Sequence, residues 1–244
     1  MHYLIRNVLF VSFIFSLLLF AACSSNSQKK TISNAQRPLA TPNIVSNKPK
    51  IAAFGDSLTA GFGLSEKESY PYLLQQKLNS EGFNYEVINA GVSGETSLGG
   101  LERIDWVLDQ ENLEILILEL GANDLLRGIP VANMKDNLDK ILAKAKAKNV
   151  RVLFCGMLAP PTSGSDYQRA YSEAFPALAD KYKVSYLPFL LQGVALNKDL
   201  NQADGIHPNA EGEKIMTENV YKELKPLLSK VYNPIFTGML FCGL

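Results

Sequence analysis

Apolar positions along the chain fall into two alternating patterns, short continuous runs and longer stretches with a helical repeat, separated by clusters of Gly, Ser, Asn, Asp and Pro. The runs Ile51 to Phe54, Tyr85 to Asn89, Ile115 to Leu118, Arg151 to Cys155 and Val184 to Tyr186 are short and apolar, which predicts buried parallel strands. Helices are predicted near Tyr70 to Glu81, Leu98 to Asp109, Met134 to Lys148, Asp166 to Tyr182 and Asn209 to Lys230. In the third of these, Leu138, Ile141, Leu142 and Ala145 keep helical spacing, while Lys140, Lys144, Lys146 and Lys148 fill the solvent face. Strands alternating with helices imply repeated βα units, hence an α/β fold around a parallel sheet.

The ends of the chain depart from this pattern. Arg6 precedes an apolar run from Val8 to Phe20, followed by Ala21, Ala22 and Cys23. A membrane-spanning helix needs about 20 apolar residues, whereas the core of an export signal needs roughly 7 to 15, so a cleaved leader over residues 1–22 is expected. Phe20-Ala21-Ala22-Cys23 resembles a bacterial lipobox, in which Cys23 becomes the lipidated N-terminus; an ordinary secretory leader is the alternative. Ser24 follows rather than aspartate, which favours the outer membrane of a two-membrane envelope and an anchor facing the periplasm. Residues 23–48 are rich in Ser, Asn, Lys, Pro and Thr and read as a solvated tether. The folded domain is expected over 49–231 and an apolar tail over 232–244.

Composition narrows the partners. Lys plus Arg number 24 and Asp plus Glu 24, so no basic footprint for nucleic acid exists. With Cys23 assigned to lipid, Cys155 and Cys242 do not make a disulfide framework, and Cys155 reads as a small buried hydrophobe.

A parallel sheet presents its chemistry where strands exit into loops. The successive exits carry Gly55-Asp56-Ser57-Leu58, Ser93-Gly94-Glu95-Thr96, Gly121-Ala122-Asn123-Asp124 and, after a long connection, Asp204-Gly205-Ile206-His207-Pro208. A serine hydroxyl becomes nucleophilic when a neighbouring base takes its proton, a task suited to histidine. Of the two histidines, His2 lies in the leader, so a mature enzyme using imidazole must use His207. Asp204 stands where one turn can aim its carboxylate at the ring; taken alone, such a spacing is more often a helix cap or turn than a catalytic pair. The Ser57 and Gly94 backbone N–H groups and the Asn123 amide could bind an oxyanion; taken singly, Gly94 reads first as a turn glycine and Asn123 as a turn or cap residue, so the case rests on their joint occurrence at successive strand exits.

Together and in this order, the four blocks resemble those of the GDSL, or SGNH, hydrolase superfamily, over roughly Ile51 to Leu228. Val87-Ile88-Asn89-Ala90, Glu119 to Asp124 followed by Leu126-Arg127-Gly128, and Leu187-Pro188-Phe189 resemble its bacterial esterase, thioesterase and lysophospholipase group. The resemblance implies a three-layer, flavodoxin-like fold with five parallel strands, no metal or cofactor, and hydrolysis of acyl esters, thioesters or lysophospholipids. By position it implies Ser57 as nucleophile, His207 as base, Asp204 as its partner, and Ser57, Gly94 and Asn123 as oxyanion donors. Leu125 to Pro130 matches a loop over the acyl chain, so Leu125, Leu126 and Ile129, with Asp56, are expected to bind substrate. The expected partners are that small molecule and, through lipid, a membrane; the chain is expected to be monomeric.

Two other readings stay open. Thr59 breaks the Gly-x-Ser-x-Gly elbow of the larger α/β-hydrolases, which disfavours that fold. An envelope carbohydrate O-deacetylase would use the same triad. A non-enzymatic flavodoxin-like module would use the Gly91 to Thr96 loop for phosphate, but leaves Asp204 and His207 unexplained.

Overall fold

The structure is a computed structural model that describes residues 47–229. Five strands form one parallel sheet: β1 Lys50–Gly55, β2 Glu86–Gly91, β3 Leu113–Glu119, β4 Arg151–Cys155 and β5 Ser185–Leu187, in the order β2-β1-β3-β4-β5. The helices are α1 Ser57–Ala60, α2 Tyr70–Ser80, α3 Ser97–Leu108, α4 Ala122–Leu126, α5 Val131–Ala147, α6 Ser165–Tyr182 and α7 Ala210–Leu224. α3, α5 and α6 pack in succession, and α2 packs on α7, giving helical layers on the sheet. The α/β architecture and the parallel five-stranded sheet agree with the sequence reading.

Apolar β1 explains the arrangement. Ile51, Ala52, Ala53 and Phe54 have no exposed surface, as a central strand covered on both faces requires. Around it, Ile115 to Leu118 of β3 and Leu153 to Cys155 of β4 are also fully buried, so the core runs along the middle of the sheet. Register then aligns the strand exits: Gly55 pairs with Gly91 on one side and Glu119 on the other, Glu119 with Cys155, and Cys155 with Leu187. The five loops that follow therefore leave the sheet at one level.

Differences from expectation lie at element ends and in two short helices, α1 and α4, that the sequence pattern did not predict. β2 begins one residue later than expected and runs on to Gly91. The last helix stops at Leu224 rather than Lys230, because Pro226 has no N–H to continue the ladder; a 3₁₀ turn over Lys225–Leu227 follows. Apart from Asn47 and Lys48, the expected leader, Cys23, tether and tail fall outside the described residues.

Candidate active site

The turn after β1 is built for close approach. A side chain at Gly55 would collide with Thr59 Oγ1 and with Glu119, so only glycine lets the chain bend there. Asp56 then caps α1: its Oδ1 accepts from the Leu58 N–H at 3.0 Å. Ser57, the first residue of α1, has an N–H with no intrahelical acceptor and a hydroxyl at the rim of the sheet.

The loop before α7 delivers the imidazole. Gly205 takes φ +75°, a left-handed conformation suited to glycine, and turns Asp204 back on the residues that follow. Asp204 Oδ1 accepts from the N–H groups of Ile206 at 3.0 Å and His207 at 3.1 Å, while Oδ2 lies 2.7 Å from His207 Nδ1. His207 Nε2 lies 2.9 Å from Ser57 Oγ. These contacts, the ring bond first, hold the Asp204 carboxyl down at about 2 against the usual 3.8. An ionised carboxylate only accepts, so Nδ1 carries the proton and Nε2 is free to accept from the serine hydroxyl.

Neighbours fix the ring. Gln202 binds His207 O through its N–H at 2.8 Å and gives its side-chain amide to Phe62 O at 2.6 Å and Pro208 O at 2.9 Å. The Phe62 ring lies 4.7 Å from the imidazole, centroid to centroid. Asn209 caps α7 through bonds from Glu211 and Gly212, placing His207 two residues before the cap.

Two further loops complete the rim. Gly94 has φ +81°, and its carbonyl accepts from Arg127 Nη2 at 2.6 Å. Asn123 lies in α4, and its amide donates to Asp56 Oδ2 at 2.8 Å. Buried Asp124 ties the loops together by accepting from Ser97 N at 2.7 Å and Ser97 Oγ at 2.6 Å, where α3 begins. From inside α3, Arg103 bonds Glu95 Oε1 at 2.6 Å and Ala90 O at 2.9 Å, with its guanidinium over the Phe54 ring.

The pattern that describes the GDSL-like lipase/acylhydrolase family matches residues 53–215. The chain belongs to that family. Among curated relatives of this GDSL protein, esterase TesA of Pseudomonas aeruginosa is 41% identical over 174 residues, covering 71% of this chain and 87% of TesA. An arylesterase of Vibrio mimicus is 35% identical and covers 72% of this chain and 88% of its own. The thioesterase 1/protease 1/lysophospholipase L1 of Escherichia coli is 37% identical and covers 72% and 83%. The crystal structure of TesA superposes with a TM-score of 0.71 at 40% identity, covering 73% of this chain and 99% of that one. As a GDSL-family protein, the chain is a carboxylic ester hydrolase.

Of the residues that the GDSL resemblance singles out, Ser57, His207 and Asp204 meet in one hydrogen-bonded row. Gly94 and Asn123 occupy the exits of β2 and β3, the strands flanking β1. Asp56 calls for a correction: expected to touch substrate, it has no exposed surface, because capping α1 and holding Asn123 draw its carboxylate beneath the site. Leu126 is exposed, whereas Leu125 and Ile129 are half-buried and Leu125 packs on the core. Sequence reasoning gave no role to Asp124, Arg127 and Phe62, whose partners are remote in sequence, or to Gln202, which joins nearby His207 and Pro208 to distant Phe62. Asp124, inside the Gly121 to Asp124 block, and Arg127, inside Leu126-Arg127-Gly128, carried a local cue.

Proposed function

We propose that Ser57, His207 and Asp204 form the catalytic triad of an esterase and thioesterase that works through an acyl-enzyme. The 2.9 Å approach of His207 Nε2 to Ser57 Oγ, with Asp204 on the far ring nitrogen, carries this reading. His207 takes the hydroxyl proton as Ser57 Oγ bonds to the acyl carbon, and the ring then donates that proton to the departing alcohol or thiol. Water repeats the cycle and releases the acid. The intermediate's oxyanion is held by the N–H groups of Ser57 and Gly94 and by the Asn123 amide, each worth about 3 kcal/mol of transition-state stabilisation.

Acyl esters, thioesters and lysophospholipids are the substrates that the named relatives suggest. Exposed Phe62, Leu126, Leu158 and Ile206 follow strand exits, as does half-buried Ile129, and we assign them to the acyl chain. The lipobox-like Phe20-Ala21-Ala22-Cys23 supports an enzyme anchored in the cell envelope by lipid.

Labelling by a fluorophosphonate tests the nucleophile: Ser57→Ala is expected to abolish it, and a labelled variant would overturn the assignment. Rates across p-nitrophenyl esters test the substrate. A site for long chains rewards each methylene by about 0.8 kcal/mol, so octanoate should exceed acetate; strict preference for acetate would indicate an O-deacetylase instead.

A further inference from the structure

Behind Ser57 lies a pair of carboxyl groups that the hydrolytic cycle does not use. Asp56 and Glu119 both have no exposed surface. Glu119 ends β3, and its Oε2 accepts from the Asp56 N–H at 3.1 Å and from Thr59 Oγ1 at 2.9 Å. Its Oε1 is buried without a partner within hydrogen-bonding distance. The Asp56 carboxylate faces two ways, accepting from Leu58 N–H through Oδ1 and from the Asn123 amide through Oδ2 at 2.8 Å.

An amide nitrogen has two hydrogens. If one is committed to a buried carboxylate, the amide can neither rotate nor exchange its oxygen for its nitrogen, and its second N–H points in a fixed direction. Preorganised donors stabilise developing charge because they need not reorient as the reaction proceeds.

We propose that Asp56 is a positioning residue for the oxyanion site, fixing the Asn123 amide so that its free N–H meets the acyl oxygen, with Glu119 beneath it as a neutral acid. This inference rests on the role given to Asn123 above. Two buried carboxyls in contact do not both ionise. Burial and the Asp56 charge push the Glu119 carboxyl well above its usual range, while burial raises Asp56 to about 6 against the bonds from Leu58 and Asn123. Glu119 therefore holds its proton more tightly than Asp56 does, and the Asp56 carboxyl, which the Asn123 amide faces, is the member able to accept.

Asp56→Asn separates this role from helix capping, since an asparagine oxygen still accepts from Leu58 N–H while its amide group opposes that of Asn123. The expected result is a kcat lowered about 10- to 100-fold with KM within about twofold, and an equal loss of affinity for an alkylboronic acid whose tetrahedral adduct carries the oxyanion. In an Asn123→Ala background the same substitution should cost little more. A kcat near wild type for Asp56→Asn, or a full additional loss in the Asn123→Ala background, would overturn the proposal. If Asn123→Ala itself leaves kcat intact, the oxyanion assignment has failed instead. Glu119→Leu should reduce kcat as Asp56→Asn does, with Glu119→Gln restoring it; a Gln variant as impaired as Leu would show that a charged Glu119 is required. Should Asp56→Asn not fold, the two side-chain amide protons of Asn123 in the wild type serve: the one bonded to Asp56 is expected to exchange more slowly than the one facing the site, and equal, free exchange of both would overturn the idea.

Discussion

Asp204 divides its work between two oxygens, one closing the turn through Ile206 and His207 and the other holding the imidazole. Its carboxyl lies below the usual range, so the stability it contributes is present above about pH 4 and is lost as the pH falls toward about 2. Asp204→Asn keeps an acceptor for the two N–H groups but no longer enforces a proton on Nδ1. We expect kcat to fall about 10²- to 10⁴-fold and Tm at neutral pH to fall modestly, the Tm difference vanishing toward about pH 2, measured by ester turnover and thermal unfolding. A single histidine beyond the leader made His207 legible in the sequence, and a nearby aspartate with glycine between made Asp204 legible. Asp56 was misjudged for a physical reason: a residue beside a nucleophile can face substrate or the helix it caps, and the sequence does not say which. Glu119, the last residue of an apolar strand, gave no sign that its partners are the Asp56 N–H and Thr59.

At the scale of elements, the start of α2 shows how one helix completes another. Ser69 provides no side-chain cap there; instead Glu213, in the first turn of α7, accepts from the Tyr70 N–H at 2.8 Å. Burial pushes the Glu213 carboxyl up to about 8 against that bond. The unfolded chain releases this proton near pH 4.5 and the folded protein retains it to about 8, so stability declines with pH through that window. Glu213→Gln keeps an acceptor for Tyr70 and removes the titration. It should raise Tm by several degrees at pH 8 and hardly at pH 5; a variant whose melting tracks pH as the wild type does would refute this. The long helices were legible because their apolar stripes repeat over many turns, whereas α1 and α4, at four and five residues, are too short to show a period. These two short helices carry Ser57 and Asn123, so the least periodic elements are the ones at the site.

For the molecule as a whole, strand number and parallel direction followed from alternating patterns. Strand order did not, because it depends on which apolar run is buried on both faces, and Ala52 and Ala53 do not announce β1 as central. Membrane anchoring through Cys23 is a proposal with a direct test: Cys23→Ser should move activity from the membrane fraction to the soluble one, and activity staying with membranes would count against lipid anchoring. The hydroxyl and the imidazole that meet at the rim stand 150 positions apart along the chain. A polypeptide still being made therefore has its serine long before it has its base. Such a chain lacks its hydroxyl–imidazole pair until the last strand and the loop beyond it are in place, and return of ester turnover during refolding would time the completion of the entire sheet.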